Sequence, residues 1–153
     1  MPATTVSTAR DEILARLKAA IDVSDYSDMT VIYDDARQDH PADDTSPPAV
    51  PAGKPWLRVG VRHADGTQAS LGSINGKRRQ EMSGIVFVQV FTPAGDGLKH
   101  SDALVEIVLD AYRTGGATPS GVVFRSARFA EIGKDGAWHQ TNCLVDFIYD
   151  VIR

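Results

Sequence analysis

The sequence predicts an α+β fold: one domain with a mostly antiparallel or mixed sheet and two helices packed against it. Three features point there. The element order reads helix, strand, strand, strand, helix, strand, strand, so strands follow strands more often than they alternate with helices. Two turn signals, Asn75-Gly76 and Lys134-Asp135-Gly136, sit between apolar runs as hairpin connections do. Finally, 153 residues suffice for one domain that buries roughly 70% of the surface its unfolded chain exposes.

The first helix is expected over 8–21, with Ser7 or Thr8 as N-cap and Asp11 and Glu12 near its positive end. Ile13, Leu14, Leu17 and Ile21 form one stripe, which should lie on a core. "MTVIYD" (29–34) reads as a short strand. Residues 34–55 carry five prolines and five aspartates, which exclude a helix or a central strand. They are expected to form an extended, mobile, acidic loop, first cut by protease at Arg37 or Lys54. "WLRVGVR" (56–62) alternates cleanly, with Leu57, Val59 and Val61 inward and Arg58 and Arg62 outward.

The glycine-flanked "GSINGKRRQEMSG" (72–84) then connects two antiparallel strands. The next strand, 85–91, is apolar on both faces apart from Gln89, as a central strand covered on each side would be. Gln89 therefore needs a hydrogen-bond partner or a face that becomes an interface. A second helix is expected over 99–113. Leu104, Ile107, Val108 and Ala111 make its core stripe, while Val105, Leu109 and Tyr112 widen the apolar arc to roughly 200°. That width suggests a covering besides the chain's own sheet, and marks Val105, Leu109 and Tyr112 as candidate interface residues. "GVVFRSARFAEIG" and "AWHQTNCLVDFIYDVI" flank the second hairpin signal and read as the last strands.

Composition excludes several function classes. With 42% hydrophobic and 24% charged residues the chain is an ordinary globular one. A formal net charge of −4 argues against a general nucleic-acid or membrane-surface binder. No stretch approaches the roughly 20 apolar residues of a membrane span. The N-terminal residues lack a secretory signal's charged start and apolar core, and the single cysteine, Cys143, has no partner for an internal disulfide. A reducing cytoplasm is the expected site of synthesis.

"GIVFVQVFTPAGDGLKHSD" (84–102) has the strand, glycines and helix of a phosphate-binding turn. It lacks the P-loop lysine and its hydroxyl neighbour and the third glycine of a dinucleotide turn, and Asp96 would meet phosphate with negative charge. It reads as a structural corner. His40, His63, His100 and His139 show no i+3 or i+4 pairing, and Asp34-Asp35 and Asp43-Asp44 fall in the Pro-rich stretch, so no metal site is expected. Cys143 lies among apolar residues and reads as a small core side chain, and no Ser sits in a nucleophile elbow. Neither a catalytic group nor a cofactor is expected. The one basic cluster, Lys77-Arg78-Arg79, is either a solvated loop tip balanced by Glu81 or a contact for phosphates or an acidic partner.

Three segments carry a resemblance. "GKPWLRVGV" (53–61), "GIVFVQVFTPAGDG" (84–97) and "IGKDGAWHQTNCLVDFIYD" (132–150), in that order, resemble the tail terminator proteins of long-tailed bacteriophages. The resemblance implies a non-enzymatic virion protein of the head–tail junction, made in the host cytoplasm. It implies a homo-hexameric ring that caps the tail tube, stops its polymerisation and meets the head-completion proteins, with DNA passing through the lumen. On that reading Val105, Leu109, Tyr112 and Gln89 face a neighbouring subunit, and Lys77, Arg78 and Arg79 face the lumen or a partner ring. A connector or tail tube subunit is the nearest alternative. A small enzyme or ligand-binding domain with its site under 34–55 is a more distant one.

Overall fold

Two helices lie on one face of a five-strand mixed sheet, and among the described residues the other face carries no second layer. The computed structural model describes residues 4–33, 53–69, 76–95 and 97–152. The elements in chain order are α1 (Val6–Asp22), β1 (Thr30–Tyr33), β2 (Trp56–Gln68), β3 (Arg79–Pro93), α2 (Lys99–Arg113), β4 (Val123–Asp135) and β5 (Trp138–Ile152). The sheet order is β1-β2-β3-β5-β4, with β1 parallel to β2 and every other pair antiparallel. Most of the expected acidic loop, and both aspartate pairs within it, lie outside the described residues.

α1 starts earlier than its pattern suggested. Thr5 is the N-cap, its side-chain oxygen accepting from the Thr8 N–H at 3.1 Å. The preceding residue explains the shift: the Thr4 N–H donates to the Asp150 carbonyl at 3.1 Å and fixes the chain just before the helix. The first turn then contains no acidic residue, and the buried stripe is Ala9, Ile13, Leu17 and Ile21. Leu14 packs at the margin of the core.

β2 and β3 run further than 56–62 and 85–91. β2 continues through a bulge between His63 and Asp65, and the hairpin stays paired out to Gln68↔Gln80. The last residues of β5 support this extension, since Arg79 pairs with Ile152 and Glu81 with Asp150. Polar residues and glycines had the look of a loop, but a third strand alongside holds them in a ladder.

On the inner face, cross-strand rows such as Val59↔Val88↔Cys143 and Val61↔Val86↔Val145 meet the helices. Burial pushes the Cys143 thiol up to about 12, which makes it an inert core group. β3 is central, as expected, but among the described residues only one of its faces is covered. Val86, Val88 and Val90 are fully buried, while Ile85, Phe87 and Gln89 are half-buried on the other side. There the Phe87 ring lies directly over Gly60; a Cβ at Gly60 would come within 2.1 Å of it. A smaller cluster of Ile32, Trp56, Phe91 and Trp138 closes one end of the same side. Trp56 stacks on Phe91 at 4.0 Å between ring centroids, with Trp138 edge-on at 6.1 Å.

Candidate assembly surfaces

The wide apolar arc of α2 needs no second subunit. Val105, Leu109 and Tyr112 are 4%, 1% and 3% exposed in the single chain. α1 lies beside α2 and covers the flank that the sheet leaves, and the Tyr112 hydroxyl donates to the Ile13 carbonyl at 3.0 Å across that helix pair. Burial pushes the Tyr112 phenol well above its usual range. These three residues are core, which corrects their reading as interface. The sequence pattern measured the arc correctly but could not say that two elements of one chain would share it.

The basic cluster divides. Lys77 and Arg78 are exposed at the far end of the β2–β3 hairpin, and Arg78 donates to the Gln68 side-chain oxygen at 3.4 Å. The Ala69 N–H donates to the Arg79 carbonyl at 2.9 Å and closes the ladder just below them. Arg79 is not part of the tip. It is a β3 residue whose guanidinium lies 2.8 Å from the Asp150 carboxylate, itself 4% exposed. Its charge holds strand to strand, while its side chain stays 46% exposed just below the tip.

Gln89 stands in the middle of the uncovered sheet face, in the row Arg58↔Gln89↔Asn142. Its amide makes no side-chain hydrogen bond among the described residues. Beside it lie half-buried Phe87 and Leu144, with Ile85 and Ile148 further along the same face, and a concavity of about 250 Å³ lined by Arg62, Phe87, Gln89, Asn142 and Leu144. The Arg62 guanidinium lies over the Phe87 ring, 5.0 Å from its centroid. Aliphatic and aromatic side chains among amides and arginines are the composition of an interface core and rim.

His63 does something the sequence did not suggest. At the β2 bulge its Nδ1 is 3.3 Å from the Arg10 guanidinium and its Nε2 is 2.6 Å from the Tyr149 hydroxyl. Since Arg10 can only donate, Nδ1 accepts, and the Nε2–H donates to Tyr149. Burial, and then the Arg10 charge, hold its pKa below the usual value. The imidazole is a strut between α1 and β5. A lone histidine in an alternating strand carries no signal of this.

The turn "PAGDG" makes a corner between β3 and α2, with Gly95 and Gly97 at φ 98° and 76°. The Ala94 N–H donates to the Ala137 carbonyl at 2.8 Å, so the corner leans on the β4–β5 hairpin. No group of three or more His, Cys, Asp or Glu able to hold a metal ion occurs among the described residues. No helix there is long and apolar enough to cross a membrane.

A solved protein structure superposes on the chain with a TM-score of 0.66 over 96% of each chain, at 16% sequence identity, and so shares the fold. No curated protein matches the sequence. The family described as phage tail terminator protein matches residues 12–147, from α1 to the middle of β5. That span takes in all three resembling segments almost entirely, together with the uncovered sheet face and the basic hairpin. The chain therefore belongs to the phage tail terminator family, and is a structural, non-enzymatic component of the phage tail.

Proposed function

We propose that copies of this chain close into a six-membered ring on the end of the tail tube, where the ring stops further addition of tube subunits and offers a second face to the head-completion proteins. Family membership supplies the tail. The observation that carries assembly is the uncovered sheet face around Gln89, where half-buried apolar side chains lie open beside amides and arginines. A lone domain gains little from leaving such a face in water, and a neighbour that covers it removes apolar surface from solvent. DNA passes through the centre of the ring. Lys77 and Arg78, carried out on a long hairpin, meet either the phosphates or an acidic partner ring.

The mass of the purified protein tests the ring, and tube length in assembly reactions tests the cap. A species roughly six-fold heavier than the 16.5 kDa chain, and tubes of limited length in its presence, support the reading. Tubes in which this chain itself polymerises would assign it to the tube instead.

A further inference from the structure

We propose that the uncovered sheet face of one copy receives the outer face of α2 from the next copy. Arginines on the sheet would stand opposite a column of carboxylates on the helix. This deepens the ring reading above and rests on it, by naming the two surfaces that meet.

The helix supplies the first half. Asp102, Glu106 and Asp110 recur every four residues, so they share one stripe, and all three are exposed. Carboxylates at this spacing repel one another, and the macrodipole favours negative charge only in the first turn, where Asp102 sits. None of the three forms an ion pair among the described residues. Ala103 and Ile107 run beside them, half-exposed. α2 thus presents a small apolar ridge edged with unneutralised acid.

The sheet supplies the second half. Arg58, Arg62, Arg125 and Arg128 project from the uncovered face, as their cross-strand partners Gln89, Ile85, Asp146 and Leu144 establish. Among the described residues, Asp146 is the one acid between them, and it pairs with Arg128 at 3.4 Å. Asp65, Glu81 and Asp150 share that side but lie towards the Arg79 end. Among the described residues, Arg58 and Arg125 have no ion-pair partner on this face, a local surplus of positive charge in a protein of formal net charge −4. It surrounds the concavity of about 250 Å³, room for an aliphatic side chain such as that of Ile107.

The two halves cannot meet within one molecule. α2 buries Leu104, Val105, Val108 and Leu109 against the chain's own core, so its acidic stripe and the arginine face look in opposite directions. Complementary patches on opposite sides of one chain join head to tail, and head-to-tail contacts either close into a ring or run on as a filament. Charge complementarity also rejects the wrong pairings, sheet to sheet or helix to helix.

Two charge-reversed variants test this. One carries Asp102→Lys, Glu106→Lys and Asp110→Lys; the other carries Arg58→Glu and Arg125→Glu. Each alone should run at the mass of one chain with wild-type far-UV circular dichroism, a roughly six-fold loss of assembled mass. Mixed in equal amounts they should regain the ring, because the two kinds can alternate around an even number of places. Recovery also proves that both are folded. Arg125→Glu alone, which leaves Arg58 over the Trp56 ring, serves as the milder second variant and should weaken the ring. If wild-type rings form and both reversed variants still form them, or if folded variants do not recover on mixing, the pairing of faces is wrong though the ring stands. Variants that form rings but no longer attach to tubes would assign the faces to another partner and overturn the proposal. A wild-type protein that stays at 16.5 kDa at every concentration would overturn the ring and this proposal together.

Discussion

The Arg79 guanidinium lies 2.8 Å from the carboxylate of Asp150, a side chain only 4% exposed. One partner reaches water and the other does not, so the two are not equivalent. Arg79→Ala strands a buried negative charge, whereas Asp150→Asn removes that charge and leaves an arginine that can turn to solvent. Arg79→Ala is therefore expected to lower the melting temperature more than Asp150→Asn. In the Asp150→Asn background, Arg79→Ala should cost little further. Thermal melts of the two single variants and the double variant check this.

Leu109 gives a second expectation, opposite to the one its sequence pattern suggested. Leu109→Glu would place a charge in the shared core of α1, α2 and the sheet, and the chain should fail to fold rather than persist as a folded monomer. Leu109→Ala should leave a folded protein that is less stable by about 2–5 kcal/mol. Circular dichroism and denaturant melts distinguish the two.

His63 makes stability depend on pH. Its folded pKa lies below the ordinary value, so the unfolded chain takes up the proton first. The contribution of the neutral imidazole is present above about pH 6.5 and is lost as pH falls from there towards the lowered folded pKa. His63→Asn should be less stable at pH 7.5 and should flatten the stability profile in that window. An equal slope in wild type and variant would mean that another group titrates there.

The tryptophans should separate. Trp56 is 5% exposed beneath Phe91, while Trp138 is half-buried at the start of β5. Acrylamide should quench the fluorescence of Trp56→Phe, which reports Trp138, more strongly than that of Trp138→Phe, which reports Trp56. The difference arises because Trp56 is enclosed by the cluster while Trp138 only packs against it.

The basic tip calls for a variant that spares the strand. Lys77→Ser with Arg78→Ser keeps the Arg79–Asp150 pair and should leave folding and ring mass unchanged while reducing tail joining or DNA retention. Wild-type yields of infectious particles would make the tip an ordinary solvated turn.

What could be read from the sequence was decided by local pattern. Alternation in 56–62, the periodicity of 99–113 and the Lys134-Asp135-Gly136 signal each placed an element, because each is set by neighbours in the chain. Where distant residues decide, pattern misled. The sheet extends into 79–84 because β5 runs alongside; α1 begins early because Thr4 is tied to β5; and the wide arc of α2 is shared between α1 and the sheet. The same limit governs the surfaces. A run of three basic residues looks uniform until Asp150, seventy-one residues beyond Arg79, takes one of them. Gln89 was visible as a polar interruption in an apolar strand, but that its face stays open depends on where both helices go.

The hydrogen bond from the Thr4 N–H to the Asp150 carbonyl brings residues near the two ends of this sequence to one place. That place is the root of the basic hairpin, because Arg79 pairs with Ile152 there. A purification handle or fluorescent domain added before α1 or after β5 would be planted beside Lys77 and Arg78, where it could crowd whatever approaches them.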